Sequence, residues 1–143
     1  MLRRDPRLRS LSSDHHHALV LARGARKAAT SGDANACATM ADALRASFGR
    51  ELEPHFVVEE QWLLPPLERC GEGALVAKTR EDHAAIRAQL SASSLGSPEA
   101  LEALAARLEA HVRFEERELF EVAQTKLDDA ALDAVMRNSP GLG

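Results

Sequence analysis

The pattern HxxxEE occurs twice in this chain, at His55–Glu60 and at His111–Glu116, each time inside an apolar stripe of helical period. Residues four apart share one face of a helix, so each histidine and its first glutamate must look into whatever core that stripe packs against. One stripe runs Met40, Leu44, Phe48, Leu52, His55, Glu59, then Trp62 or Leu63. The other runs Leu101, Leu104, Leu108, His111, Glu115 and, a turn further on, Val122. A third stripe, Val76, His83, Ile86 and Leu90, carries a single histidine. A fourth contains His15, His16 and His17; Ala18, Leu19, Ala22, Ala25 and Ala29 share a face with His15, whereas Arg23 and Lys27 lie with His16. His15 is therefore the inward candidate, although a one-residue shift of the helix start would bring in His16 or His17. Glu60 and Glu116 fall about 100° further round, toward solvent or the outside of such a cluster.

The remaining pattern is all helical. Valine and isoleucine form no alternating run, aromatics make up 3% of the chain, and tyrosine is absent, which also removes any tyrosyl radical chemistry. Ser12-Ser13-Asp14 offers caps for a first helix ending near Thr30. A second runs from about Asp33 to Leu64, with a kink expected at Pro54 and a stop at Pro65-Pro66. A third starts near Gly73 and fades between Ser91 and Gly96. Ser97-Pro98-Glu99 opens a fourth that continues to about Lys126, and Asp128 caps a short fifth. The expected fold is an antiparallel up-down four-helix bundle with a short C-terminal helix, one domain over 1–143 with its core at about 13–126.

A core of this size is affordable, since 45% of the 143 residues are apolar. With 18 basic and 22 acidic residues, the chain lacks the positive excess of a nucleic-acid-binding module. No apolar run is long enough for a membrane span, and no apolar segment follows the N-terminal arginines as a secretory signal requires. Cys37 and Cys70 are too far apart for a CxxC motif and fit idle, reduced thiols. A cytoplasmic location is expected. The arginines at 3, 4, 7 and 9 are expected to form a solvated arm, and Trp62 and Phe114 to pack in the core.

Four histidines and two glutamates converging in a small bundle would be severely destabilising unless something satisfied them. Bound metal does so, because carboxylates neutralise cations and imidazoles donate lone pairs. The metal-ligand candidates are His15, His55, Glu59, His83, His111 and Glu115. The chain reads twice as a helix with an acid-His pair (Asp14-His15, Asp82-His83) followed by a helix with HxxxEE. Such a duplication suits two cations bridged by two carboxylates. Nitrogen and oxygen donors in this ratio suit iron or manganese; thiolate-rich or four-coordinate zinc sites look different. The zinc-protease pattern HExxH is absent, as is the ExxH of ferritin-like bundles.

On these residues the sequence resembles the hemerythrin-like (HHE cation-binding) family, in its bacterial form. The matching pieces are DHH from Asp14, HFVVEEQWLLPPL from His55, EDHAAI from Glu81 and HVRFEERELF from His111. The resemblance implies that the six candidates ligate two non-heme iron ions, with Glu59 and Glu115 bridging and an oxo or hydroxo group as third bridge; manganese or zinc can replace iron in a purified sample. It implies binding of dioxygen, peroxide or nitric oxide by a sensor, scavenger or store. The alternatives are a di-iron enzyme that decomposes peroxide or oxidises iron, an iron-centre repair protein, or a metal-free interaction bundle. The invertebrate oxygen carriers have two histidines a turn apart on their third helix, and here Thr79 and Arg87 flank His83 instead. That difference leaves a coordination position vacant and favours redox reactivity over oxygen carriage. The residues ahead of Asp14 are too few for the cysteine-bearing region of the repair proteins, and any sensing is expected to need a separate protein partner.

Overall fold

The computed structural model describes residues 3–140. All regular structure among them is helical: a first helix at Arg9–Thr30, a second spanning 34–69, a third at Gly73–Ser91, a fourth spanning 98–126 and a fifth at Asp129–Asn138. The expected caps recur at three starts. Asp33 accepts from the backbone of Asn35 and Ala36, Ser97 from that of Ala100, and Asp128 from that of Ala131. Gly32 and Gly71, at φ 70° and 88°, supply the left-handed residue that ends the first and second helices.

Two boundaries differ from the sequence expectation. The first helix begins not at Ser12-Ser13-Asp14 but at Arg9, after a 3-10 turn, Pro6–Leu8, capped by Asp5. Leu8 and Leu11 are fully buried, so the apolar stripe starts a turn earlier than the alanines suggested. The second helix passes through Pro65-Pro66 to Arg69. A π turn at Glu59–Leu63 makes this possible, because its wider bond from the Leu64 amide to the Glu59 carbonyl changes the hydrogen-bond register just before the prolines. The irregularity expected at Pro54 is likewise a π turn, Phe48–Leu52, in which the Glu53 amide donates to the Phe48 carbonyl. A third π turn, Glu115–Leu119, has no proline after it.

The extra residue in these turns moves the apolar stripe. Leu63 is buried and Trp62 is 39% exposed; Leu119, Phe120 and Ala123 are buried where the regular period pointed to Val122, which is only half-buried. Trp62 is thus a surface residue, while Phe114 packs in the core as expected. Leu19, assigned to the inner face, is 39% exposed. The arginine-rich segment is not a free arm: Arg4 pairs with Glu116, and Arg7 with Asp5, Asp129 and Asp133. Cys37 is buried and Cys70 exposed, both as free thiols.

The apolar core is divided in two. One cluster holds Ala18, Ala22, Ala25, Leu44, Phe56, Ile86, Leu104 and Leu108; the other holds Leu11, Val58, Leu63, Val76, Phe114, Leu119 and Phe120. Along the first and third helices the second cluster is met before the first, and along the second and fourth the order is reversed. The change of cluster falls each time at His15, at His55–Glu59, at His83 and at His111–Glu115. Among the described residues no helix is long and apolar enough to cross a membrane.

Candidate metal centre

All six predicted ligands meet in this middle layer. His15, His55, His83 and His111 are at most 5% exposed, and Glu59 and Glu115 are fully buried. His16 and His17 are exposed, so the first helix contributes His15. Glu59 and Glu115 each open a π turn directly after an ordinary turn that aligns them with His55 and His111. Their carboxylates therefore sit where the helices change register, between the two apolar clusters.

The histidines fall into two pairs around the two carboxylates. His15 Nε2 and His55 Nε2 lie 2.8 and 3.3 Å from Glu115 Oε1, and His55 Nε2 is 3.0 Å from Glu59 Oε2. Across the layer, His83 Nε2 is 3.0 Å from Glu59 Oε1, and His111 Nε2 is 3.0 Å from Glu115 Oε2. One oxygen of each glutamate thus faces each pair. Two four-residue groups have donor atoms mutually within 4.8 Å: His15, His55, Glu59, Glu115 and Glu59, His83, His111, Glu115.

The opposite ring nitrogen of every histidine meets another carboxylate. His15 Nδ1 donates to Glu116 (2.7 Å), His55 Nδ1 to Asp14 (3.1 Å), His83 Nδ1 to Glu60 (2.7 Å) and His111 Nδ1 to Asp82 (2.9 Å). Asp14 belongs to the first helix and serves the second; Glu60 belongs to the second and serves the third. Asp82 serves the fourth from the third, and Glu116 closes the ring back onto the first. The sequence showed the acid-His and EE repeats but not that each spare acid holds the histidine of the next helix. Its signal was the adjacency itself, an acid beside each inward residue at a different angle round the helix.

This ring decides whether cations fit. An ionised carboxylate only accepts, so it fixes the proton on Nδ1 and leaves the Nε2 lone pair of a neutral imidazole pointing inward. There it faces further acceptors. Both Glu59 oxygens, Glu115 Oε2, His83 Nε2 and His111 Nε2 are buried without a hydrogen-bond partner, although their separations are short. The distances are those of hydrogen bonds and the angles are not; lone pairs directed at common points are what a cation satisfies.

In the metal-free protein, protons take that place. Burial pushes the imidazoles down, but the surrounding carboxylates outweigh it: His55 is held well above its ordinary range, His83 is pushed up to about 11 and His111 to about 9. Burial raises Glu115 and Glu60, yet the imidazoles beside Glu115 hold it well below the usual carboxylate range, and His83 with Arg87 brings Glu60 down to about 2. Metal binding would release the imidazole protons.

Thr79, one turn before His83, is fully buried and donates to the Leu75 carbonyl of its own helix. No fifth histidine occupies that position.

Comparison with curated proteins and with solved structures found no match. The model of the hemerythrin HHE cation-binding domain, in contrast, matches residues 7–123, from the 3-10 turn to the last turns of the fourth helix. Most of the chain is covered, with all six converging residues inside the match, and the chain belongs to the hemerythrin HHE cation-binding domain family.

Proposed function

We propose that this is a non-heme di-iron protein that binds dioxygen or a related small oxidant, peroxide or nitric oxide, as a sensor, scavenger or store in the cytoplasm. His15 and His55 would hold one ion and His83 and His111 the other, with Glu59 and Glu115 giving one oxygen to each. The observation that carries this is the buried, unpartnered state of both Glu59 oxygens between two histidine pairs. A metal-free interaction bundle would leave them so permanently, at a cost of several kcal/mol per buried ion, by the order of magnitude such groups show. The same proposal takes the chain as one domain in which the four long helices form an antiparallel up-down bundle, as the alternating order of the two apolar clusters along them suggests.

Bound iron would supply Lewis acidity and reversible one-electron chemistry; manganese or zinc fits the same donors without the second of these at zinc. The chain's own part is to hold the lone pairs in place. Asp14, Glu60, Asp82 and Glu116 keep each imidazole in one tautomer, and the apolar layers on either side exclude water. Thr79 leaves a position open to a small ligand, and its hydroxyl proton is committed to Leu75.

Loading the chelated protein with ferrous iron and admitting air should give two irons per chain and near-ultraviolet absorption that shifts on adding azide. Well under two irons, with no azide-sensitive band, sinks the proposal. The same Thr79 position favours a second reading, an enzyme that turns over peroxide or oxidises iron. Steady-state peroxide turnover above that of free iron, lost in Glu59→Ala, is its test.

A further inference from the structure

The two halves of the centre are backed by matching sets of residues. Behind His83, Glu60 is clamped by Arg87, whose Nη1 donates to Glu60 Oε2 at 2.7 Å. The Phe56 ring stacks on His83 with centroids 3.7 Å apart, and the Arg87 guanidinium lies 5.3 Å from the centre of that ring. Behind His15, Glu116 takes the place of Glu60. Arg4 Nη2 donates to Glu116 Oε1 at 3.2 Å and to its backbone carbonyl at 2.7 Å. Phe120 lies parallel to His15, and the Arg4 guanidinium is 5.4 Å from the centre of the Phe120 ring. Each half therefore has a histidine, the carboxylate that orients it, an aromatic ring against it and an arginine that fixes both.

The arginines differ in how they are delivered. Arg87 stands one turn after His83 on the same helix and is further held by Glu53. Arg4 precedes the first helix altogether. Its segment is tied down by other elements: Arg4 Nη1 and the Asp5 amide both donate to Gln124 Oε1, and Arg7 reaches Asp129 and Asp133 on the fifth helix. Arg4 is nonetheless only 14% exposed at its side chain. Without it, Glu116 would keep Ser12 and His15 as its donors, and nothing would fix the carboxylate against the fourth helix.

We propose that Arg4 and Arg87 are equivalent positioning residues for the two ions of the centre, and that Arg4 makes the His15/His55 position depend on the docked N-terminal segment. The inference rests on the two-ion centre proposed above. Displacing the segment would loosen Glu116, free the His15 ring to rotate, and weaken one ion while sparing the other.

The test uses the full chain, stripped with chelator and titrated with cobalt(II), with equilibrium dialysis counting ions and visible absorption reporting ligand geometry. The unsubstituted chain should take up two ions; fewer than two overturns the centre itself, and shows before any arginine is replaced. Arg4→Gln should weaken one of the two ions by about 10–100-fold, the usual cost of losing a group behind a metal ligand, and Arg87→Gln should weaken the other. Single-ion backgrounds identify which is which. With His55→Ala, Arg4→Gln should change nothing further; with His111→Ala it should weaken the ion that remains. A merely structural role would weaken both ions alike, and that result overturns the proposal, as does an Arg4→Gln isotherm superimposable on the original. Should Arg4→Gln fold poorly, Arg7→Gln loosens the same segment without touching Glu116. It should weaken the same ion by a smaller factor, and an unchanged isotherm overturns the dependence on the segment.

Discussion

On the side of the polar layer toward Thr30 and Gly96, the first helix presents Ala18, Ala22, Ala25 and Ala28, while on the other side the core is made of Leu8, Leu11, Leu63, Leu64, Leu119 and Phe120. Small side chains let helices approach closely. A Cβ placed on Gly24 would lie 3.1 Å from Met40 Cε, and the first helix packs most extensively against the 98–114 part of the fourth. The leucine-rich side is wider and takes additional elements to close it: the 3-10 turn at Pro6–Leu8 and the fifth helix, whose Leu132 and Val135 are buried there. One side is stabilised by closeness and the other by filling. The polar layer lies at the changeover and has neither.

Metal should therefore have the largest effect of all on stability. At a thousandfold excess over its dissociation constant an ion adds about 4 kcal/mol, so thermal melts of iron-loaded and chelated protein should separate widely. Glu115→Ala removes the carboxylate that faces both histidine pairs and should close that gap. If the loaded and chelated forms melt together, the middle layer is as self-sufficient as its flanks and the contrast fails.

The next effect concerns the filled side. Leu119→Ala, at a fully buried position, should cost about 2–5 kcal/mol in urea unfolding of the chelated protein. On the close-packed side the opposite change does harm: Ala22→Leu, also at 0% exposure, should cost about 1–3 kcal/mol through overpacking. A neutral Ala22→Leu would show spare room and erase the distinction between the two sides.

The smallest expected effect is on pH dependence. His111 and His83, raised from 6.5 to about 9 and about 11, contribute stability that is fully present below pH 6.5 and lost as pH rises through those values. Glu115 and Glu60, lowered from 4.5, contribute stability present above pH 4.5 and lost as pH falls. Chelated protein should thus show a melting plateau between about pH 4.5 and 6.5 and decline on the alkaline side. Loaded protein, whose imidazoles have already given up their inner protons, should not show the alkaline decline. Parallel profiles for the two forms would mean that metal and proton do not compete for the same nitrogens.

Much of this was legible in the residue order. Helical period placed the six converging side chains, and Asp33, Ser97 and Asp128 marked three helix starts, because caps and stripes are local properties. What escaped was relational. The π turns move Leu63 inward and Trp62 outward, and a regular 3.6-residue wheel cannot register an inserted residue. Asp14 looked like a helix cap and is instead the partner of His55, a contact 41 residues away that only the packing of two helices creates. Arg4 and Arg7 looked solvated for the same reason, since their acceptors lie more than a hundred residues further along the chain.

The widened turns at Glu59–Leu63 and Glu115–Leu119 have a consequence for how this gene can vary. Each holds one residue more than an ordinary turn would, so losing a single codon there restores regular winding and swings everything downstream by about 100°. The Leu64–Leu67 and Phe120–Ala123 surfaces would then point away from the interior they now fill. Replacement of an amino acid in these stretches is a local injury; a one-residue deletion unscrews the half of the protein that follows it.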